Sequence, residues 1–327
     1  MNKVLILGGT SWLGGQIAHE AVVRGHEVTC LARGESGQAP PAVTFVQADR
    51  DQPDAYDQVN DQRWDLVIDV SRQPGHVRSA VDVLGGTSSH WTLISTGSVY
   101  ADQSGPLSED SALLEPLEAD VADPEKYGEG KVACEVAVRT LPHHLVVRAG
   151  LIGGPGDRSD RLGYYVERFA LAGDEPVLVP AVADQAMQVI DVRDLARWVI
   201  LAAEDGVTGI VHGVGERTTV GDLLQLSAEV AGFEGKQVEA DPDWLRQHGV
   251  EEWMGPRSLP LWLPESHHGM GLMDESRLLE YGMERRPLNE TLRDTLAELE
   301  QGEAGRERRA GLSRADELEL IAELRGS

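Results

Sequence analysis

The sequence predicts an α/β protein built on a doubly wound parallel sheet, with a smaller and mainly C-terminal second domain. Short apolar runs alternate with helical stretches through the first half of the chain, which is typical of a parallel sheet covered by helices on both faces. The first apolar run leads through a glycine-rich turn directly into a helical stretch. Beyond Gly150 this alternation loosens, and the later segments are therefore assigned to the second domain.

The sheet domain is predicted to contain six strands in its first part. They are Lys3–Leu7, Glu27–Ala32, Val43–Gln47, Asp65–Val70, His90–Ser95 and His143–Arg148. Helices are expected to begin near Trp12, Pro53, Pro74 and Glu125. Further along, we expect a helix carrying Tyr164, Tyr165 and Phe169, a strand Met187–Asp191, a helix Leu195–Ala203, a strand Gly209–Gly213 and a helix Val220–Ala231. A last helix begins at Ser313 and would bury Leu318, Ile321 and Leu324.

These elements suggest three regions of chain. Residues 1–152 form the predicted nucleotide-binding domain, and residues 186–214 return to it. Residues 153–185 and 215–300 form the predicted substrate domain, and residues 301–327 form a charged helical tail.

Composition narrows the classes of function. The 327-residue chain has a formal net charge of −26, which repels nucleic-acid phosphates and anionic lipids. No apolar run is long enough to cross a bilayer and no signal peptide precedes the first strand, so we expect a cytoplasmic protein. Its expected partner is a small molecule, a homodimer is an option, and nucleic acid is disfavoured. No histidine spacing matches a zinc site, so no metal is predicted.

The glycine-rich turn after the first strand predicts a dinucleotide site. Gly8 permits a tight turn, Gly14 lets the following helix approach the sheet, and Ser11 stands where a middle glycine is usual. The N–H groups at the start of the helix, around Thr10, Trp12 and Leu13, are suited to a pyrophosphate. The alternative is a strand–helix turn that binds nothing.

Residues at the ends of the next strands favour NADP(H), with NAD(H) as the alternative. Arg33 stands where NAD enzymes place an acid for the ribose 2′-hydroxyl, and an arginine suits a 2′-phosphate. Asp49 can accept from the adenine amino group or cap its loop, and Arg50 adjoins it. Other strand-end residues expected to line the crevice are Val70, Ser71 and Arg72. Arg33 and Arg72 are alternatively solvated side chains.

A tyrosine and a lysine four residues apart predict the reacting centre. Tyr127 and Lys131 share one helix face, although most such pairs are solvated. Beside a dinucleotide, Tyr127 can protonate the alkoxide that forms when a carbonyl receives hydride, and Lys131 can hold the cofactor ribose and stabilise the phenolate. Thr96, at the end of the fifth strand, can orient the carbonyl oxygen, and Ser95 adjoins it.

Taken together, the glycine turn, the hydroxyl-rich segment Ser95–Tyr100 and the Tyr127–Lys131 pair resemble the extended short-chain dehydrogenase/reductase family, also called the NAD-dependent epimerase/dehydratase family. The later segments Arg148–Asp157 and Val189–Ala196 resemble further signatures of this family. The resemblance implies a Rossmann-type domain, a smaller substrate domain and a catalytic triad of Thr96, Tyr127 and Lys131. It also implies that Ala149, Gly150, Leu151 and Ile152 lie near the nicotinamide.

Departures from the family pattern favour a reductase. Sugar-nucleotide dehydratases place an Asp-Glu pair after the catalytic threonine, whereas Gly97 and Ser98 stand here. With Ser11 and Arg33 at these positions, the sequence resembles a branch of the family that contains reductases and relatives of chloroplast stem-loop-binding proteins. The predicted function is an NAD(P)H-dependent oxidoreductase acting on a carbonyl or alcohol. The alternatives are a nucleotide-sugar epimerase with tightly bound NAD, or a non-catalytic dinucleotide-sensing or RNA-binding relative.

Candidate substrate contacts come from several segments. Ser98 follows the catalytic threonine, and His267 lies in a loop rich in proline and tryptophan. Arg158, Arg161 and Tyr164 follow the sixth strand and suit an anionic or hydroxylated substrate, with solvated helix-start residues as the alternative.

Overall fold

The computed structural model describes residues 1–301 and 308–326. Its strands are β1 Lys3–Leu7, β2 Glu27–Ala32, β3 Thr44–Gln47, β4 Trp64–Asp69, β5 Ser88–Thr96, β6 His144–Ala149, β7 Leu151–Gly153, β8 Val177–Pro180, β9 Ala186–Asp191, β10 Gly209–Gly213, β11 Arg217–Thr219, β12 Gln237–Ala240, β13 Glu251–Glu252 and β14 Ser258–Leu259.

Its α-helices are α1 Trp12–Val23, α2 Pro74–Leu84, α3 Tyr127–Val138, α4 Gly163–Ala172, α5 Val192–Glu204, α6 Val220–Ala231, α7 Pro242–Gln247, α8 Ser276–Glu280, α9 Leu288–Gln301 and α10 Arg314–Gly326. Short 3-10 helices span Gly85–Thr87, Gly97–Val99, Pro124–Lys126 and Glu265–Gly271. No helix in the described part of the chain is long and apolar enough to cross a membrane.

Seven parallel strands form the main sheet, in the order β10-β6-β5-β4-β1-β2-β3. The chain runs outward from β1 to β2 and β3, then returns to place β4 on the other side of β1. The strand order therefore reverses between β1 and β4, which is where sheets of this type open a ligand crevice at their carboxyl ends. The predicted fold class, a Rossmann-type doubly wound α/β sheet, is confirmed.

Alternating side chains of the strands feed two separate cores on the two faces of the sheet. In β1, Val4 and Ile6 pack with residues of α1 and α5, whereas Leu5 and Leu7 pack with residues of α2 and α3. A third core lies among the later elements, where α4, α6, β8 and α10 contribute buried side chains. Each face of the sheet is thus covered by helices, as a buried parallel sheet requires.

The later segments form smaller sheets. Strand β9 pairs with β7 and β11, and β12 pairs with β8. Of residues 186–214, β10 joins the main sheet and α5 packs against it, while β9 belongs to the three-stranded sheet. The domain boundaries stay a prediction, and residues 302–307 and 327 of the predicted tail lie outside the described residues.

Two expectations from the sequence were wrong. No helix begins near Pro53; consecutive turns occupy this region, with Ala55, Asp57 and Val59 each donating to the carbonyl three residues earlier. In α10, Leu320 and Ile321 are buried, but Leu318 is exposed. The buried face of α10 is set by Glu317, which accepts a hydrogen bond from the backbone of β8, and periodicity alone does not show this partner.

The glycine turn yields a matched pair of variants. A Cβ atom at Gly14 would lie 2.3 Å from the Gly8 carbonyl oxygen, whereas one at Gly15 would find its nearest atom at 3.7 Å. We expect Gly14→Ala to lower the free energy of unfolding by about 1–3 kcal/mol, because the clash is with backbone. Gly15→Ala should leave it unchanged or raise it by roughly 0.5–1 kcal/mol, because alanine favours a helix. Urea unfolding measures both, and equal values for the two variants would contradict the packing described.

Candidate functional site

A cavity of about 1290 Å³ opens at the carboxyl ends of the main-sheet strands. We call it the main cavity. Lining residues from the sheet domain are Ser11, Trp12, Leu13, Val70, Arg72, Ile94, Ser95, Thr96, Ser98, Gln103, Tyr127, Lys131 and Ala149–Ile152. The later segments contribute Arg161, Arg246, Trp253, Met254, Leu263, His267 and Met270, among others. The cavity therefore joins the predicted cofactor turn, the predicted catalytic residues and part of the predicted substrate region.

Lys131 is buried at the floor of this cavity. Its Nζ donates to the carbonyl oxygens of Ser71, at 2.7 Å, and of Ile94, at 2.5 Å. These carbonyls lie at the carboxyl ends of β4 and β5, so the ammonium joins the ends of two neighbouring strands. Tyr127, one helical turn earlier on α3, is 37% exposed and lines the same cavity. Tyr127 is thus accessible from the cavity.

Two glycines allow close packing at the start of α3. A Cβ atom at Gly128 would lie 2.4 Å from the Ser98 carbonyl oxygen, and one at Gly130 would lie 2.6 Å from the Ala122 Cβ. Both distances are too short for any side chain without movement of a neighbour. Gly128 therefore allows the turn that carries Tyr127 and Lys131 to approach the segment after β5, and Gly130 allows the same turn to pack against Ala122.

The hydroxyl groups at the end of β5 have different roles. Thr96 caps the short helix Gly97–Val99, because its Oγ1 accepts from the Ser98 backbone N–H at 3.2 Å. The Thr96 hydroxyl also donates to Ser98 Oγ at 3.2 Å, beside the cavity. Ser95 differs, since its hydroxyl donates to Glu135 Oε1 at 2.5 Å. The Ser95 hydroxyl therefore belongs to the protein interior, although the residue lines the cavity.

Behind Ser95 lies a buried polar network that sequence reasoning missed. Glu135 and Arg148 form a two-point ion pair, with Arg148 Nε to Oε1 at 3.0 Å and Nη2 to Oε2 at 2.8 Å. Arg148 Nη1 also donates to Tyr100 OH at 3.0 Å and to the Glu109 carbonyl at 2.8 Å, and Tyr100 contacts His212. The network joins α3, β6, β10 and the segment after β5.

Two groups of this network have shifted pKa values. Burial raises the pKa of Tyr100 from its ordinary value of 10.0 to about 12. Burial alone would lower the pKa of Arg148, but the hydrogen bonds and charge of Glu135 outweigh it and the pKa lies above its ordinary value. The sequence signal that could have indicated this network is the charged residue in each of two largely buried elements, Glu135 in α3 and Arg148 in β6.

An adjacent cavity of about 570 Å³ lies beside the glycine turn, on the side of β2 and β3. Its lining includes the predicted cofactor residues Gly8, Thr10, Ser11, Arg33, Asp49, Arg50, Val70, Ser71 and Arg72. Arg72 lines both cavities and so lies at their junction. Gly14 lies beneath the turn, where it packs against the Gly8 carbonyl.

Arg33 and Arg50, both predicted to bind the cofactor, differ in how accessible their guanidinium groups are to a ligand. The Arg33 side chain is 55% exposed and pairs with Glu35 at 3.1 Å. Arg50 is buried, and its guanidinium makes a two-point pair with Asp69 at 3.0 Å and contacts Tyr56. Arg50 is therefore held by protein partners and supports the ends of β3 and β4. Asp49 accepts from the Asp51 backbone N–H at 3.1 Å, which is the loop-capping alternative considered from the sequence.

The predicted substrate residues fall into three groups. Ser98, Arg161 and His267 line the main cavity. Arg158 is exposed and is not part of that lining. Tyr164 is buried in the third core, in edge contact with Tyr165, because its position on α4 faces inward. The structure therefore corrects the prediction for Tyr164.

A hydrogen bond across the top of the glycine turn links the early and late segments. Trp12 Nε1 donates to the Pro155 carbonyl at 2.7 Å. Gly156 has a positive φ of 84°, and a Cβ atom there would lie 2.7 Å from the Trp12 indole nitrogen. The loop after β7 therefore packs closely over the first residue of α1.

Residues 4–84 match the model of the NAD dependent epimerase/dehydratase family. This match covers the first strands of the sheet, the glycine turn and α2. The resemblance predicted from the motifs is thereby confirmed.

A curated relative from Arabidopsis thaliana, the chloroplast stem-loop binding protein of 41 kDa b, is 25% identical over 251 residues. The matched region is 71% of this chain and 64% of that protein. The chain thus spans less than two thirds of the length of the relative.

Solved structures extend the likeness in fold to nearly the whole chain. The Bordetella bronchiseptica enzyme WbmH, solved with NAD+, matches with a TM-score of 0.66 and 21% identity over 92% of this chain and 99% of that one. The UDP-glucuronic acid 4-epimerase from Bacillus cereus, solved with NAD, matches with a TM-score of 0.67 and 16% identity over 91% of this chain and 99% of that one. At these identities the likeness establishes the fold.

Proposed function

From its resemblance to the NAD-dependent epimerase/dehydratase family, we propose that this chain is an NAD(P)-dependent enzyme that transfers hydride to or from a carbonyl or alcohol carbon of a small molecule. One observation carries the proposal. Thr96, Tyr127 and Lys131 line a single cavity together with the glycine turn. Hydride transfer to a carbonyl needs a nearby proton donor, and this cavity offers one within the same enclosure.

The residues of the main cavity suit a dinucleotide. The N–H groups at the start of α1 would hold the pyrophosphate, since a helix start offers free donors and a positive dipole. The nicotinamide would lie toward Ala149–Ile152 and supply or accept the hydride. Lys131 has three donors and uses two on backbone carbonyls, so one remains for a ribose hydroxyl.

Each catalytic side chain has a distinct proposed role. The Tyr127 hydroxyl donates its proton to the oxygen as a carbonyl is reduced, and takes it back in the reverse direction. The Lys131 ammonium stabilises the resulting phenolate through its charge. The Thr96 hydroxyl, now 3.2 Å from Ser98 Oγ, can turn to donate to the substrate oxygen and orient it.

The central test is Tyr127→Phe, which removes only the hydroxyl group. We expect kcat to fall about 10²- to 10⁴-fold, the usual contribution of a positioned acid or base, while the Kd for the dinucleotide changes little. Steady-state turnover and fluorescence titration of the reduced cofactor measure the two quantities. Tyr281→Phe, at an exposed tyrosine, is the control and should leave both unchanged. Full turnover in Tyr127→Phe would exclude the mechanism.

A nucleotide-sugar epimerase is the second candidate, because the similar solved structures include a UDP-sugar 4-epimerase. The same three side chains would serve it, with the cofactor retained through turnover. Purified protein that already holds NAD favours the epimerase, whereas steady consumption of NADPH with an added carbonyl compound favours the reductase. A stem-loop binding role, taken from the name of the Arabidopsis relative, is opposed by the net charge of −26.

We further propose that the enzyme prefers NADP(H) to NAD(H). Arg33 follows β2 at the edge of the adjacent cavity and is largely exposed, with Glu35 as its ion-pair partner. An exposed pair of this kind is weak, so a 2′-phosphate can replace Glu35 on the guanidinium.

This preference is tested by Arg33→Ala. The Kd for NADPH should rise roughly 10- to 100-fold, because a hydrogen-bonded charge pair is lost, while the Kd for NADH should change less than about twofold. Fluorescence titration with each cofactor gives the ratio. Arg63→Ala, at an exposed arginine next to the opposite end of β4, is the control. An unchanged ratio in Arg33→Ala would count against the preference.

A further inference from the structure

The main cavity is basic although the chain as a whole is acidic. Its lining includes Arg72, Lys131, Arg161 and Arg246 but only two carboxylates, those of Glu251 and Glu252. The whole chain has 55 acidic and 29 basic residues. Basic side chains concentrated in a cleft of an acidic protein raise the local concentration of anions there.

Arg161 is one of three of these cations, with Arg72 and Lys131, that pair with no carboxylate in the described part of the chain. Arg246 pairs with Asp243 at 2.6 Å and with Glu252 at 2.9 Å, and is thereby neutralised. Within the described residues, Arg161 makes no ion pair; its Nε donates to Ser159 Oγ at 3.1 Å. The Ser159 hydroxyl donates in turn to Asp157 at 2.8 Å, which fixes its orientation. This arrangement leaves the two terminal nitrogens of Arg161 for another acceptor.

The burial of Arg161 disfavours its positive charge. Burial lowers the pKa of Arg161 below its ordinary value, and the charge of Asp157 offsets this only in part. Burial also raises the pKa of Asp157, and the hydrogen bonds from Ser159 offset this only in part. A half-buried guanidinium that makes no ion pair gains from binding an anion. Arg161 and Tyr127 both line the main cavity.

An aromatic wall holds the guanidinium in place. The Arg161 Cζ lies 4.7 Å from the centroid of the Trp253 ring, and both residues line the cavity. Trp253 has a positive φ of 67°, a strained conformation for a residue with a side chain. Strained residues of this kind cluster at ligand sites, where the surrounding structure holds them in position. Stacking on Trp253 orients the flat guanidinium so that two parallel N–H groups can meet one oxyanion.

We propose that Arg161 is a specificity residue that binds a carboxylate or phosphate group of the substrate, close to the carbonyl or alcohol on which Tyr127 acts. The statement about the substrate rests on the proposed function, whereas the oxyanion site itself stands on the geometry of Arg161. The substrate class is therefore an anionic carbonyl compound, such as a 2-oxo acid or a phosphorylated ketone, or the corresponding alcohol.

The oxyanion site is tested by calorimetric titration of the full chain with malonate and with inorganic phosphate. Each titration is run on the protein alone and on protein saturated with NADPH. The cofactor blocks anion binding at the site of its own phosphates, so the remaining binding can be assigned to Arg161. In Arg161→Met the Kd should rise about tenfold or more, because a charged hydrogen-bonding partner is lost. Arg161→Lys keeps the charge but loses the two parallel N–H groups of the guanidinium, so its Kd should lie between those of wild type and Arg161→Met. Arg158→Met, at an exposed arginine outside the cavity lining, is the control.

Comparing malonate with phosphate shows whether the site binds a carboxylate or a phosphate group. Turnover is then tested with pairs of carbonyl compounds that differ only in the anionic group. A 2-oxo acid is compared with the ketone that lacks its carboxylate, and dihydroxyacetone phosphate with dihydroxyacetone. The anionic member of at least one pair should have a kcat/KM about tenfold higher or more, and Arg161→Met should remove that difference through KM.

The failures of the two proposals are separable. Arg161-dependent anion binding without any dinucleotide binding would overturn the proposed function and leave the oxyanion site standing. Dinucleotide binding together with anion affinities that are equal in wild type and Arg161→Met would overturn the oxyanion site alone. Absence of any malonate or phosphate binding to folded wild-type protein would also overturn it.

Discussion

The candidate site depends on one buried cation. The Lys131 ammonium is enclosed between the carboxyl ends of β4 and β5, where the Ser71 and Ile94 carbonyls accept its hydrogen bonds. A charge removed from water is costly unless oxygen atoms replace its solvation, and these two strand ends supply them. Helix α3 must therefore begin where Lys131 can reach both carbonyls. That requirement places Tyr127, one turn earlier, at the wall of the cavity.

The helix face of α3 that carries Tyr127 and Lys131 continues into the protein interior. Tyr127, Lys131 and Glu135 are spaced by four residues and so lie on one helix face. Tyr127 is 37% exposed, Lys131 2% and Glu135 1%, so the face passes from the cavity to the core. Glu135 then binds Arg148 of β6 and the hydroxyl of Ser95. The pairing restricts how α3 can shift or rotate against the sheet, since moving it would leave buried charges unpaired.

Much of the architecture could be predicted because it depends on local patterns. Apolar runs and their turn signals placed β1, β2, β10 and α6 at their observed bounds, and glycines after β1 indicated the sharp turn. The polar residues at the strand ends indicated that the cavity would lie at the carboxyl edge. Each of these features is encoded within a few neighbouring residues.

Partners that are distant in the sequence were the part that could not be predicted. Arg50, which follows β3, pairs with Asp69 of β4, although β1 and β2 lie between these two strands in the sheet. Tyr164 had the chemistry of a substrate contact, yet the orientation of α4 turns it into a core. The contact between Arg161 and Trp253 joins two distant segments, and no sequence motif in either segment indicates it. Such pairs depend on how helices and sheets pack together, which residue type and spacing do not specify.

The most direct test of the account is dinucleotide affinity in Lys131→Met, which keeps an unbranched chain but removes the ammonium. Fluorescence titration with the reduced cofactor should give a Kd about tenfold or more above the wild-type value, since a donor to the ribose is lost. Lys126→Met, at an exposed lysine paired with Glu129 beside the same helix, should bind like wild type. A folded Lys131→Met protein with wild-type affinity would contradict the role given to this cation.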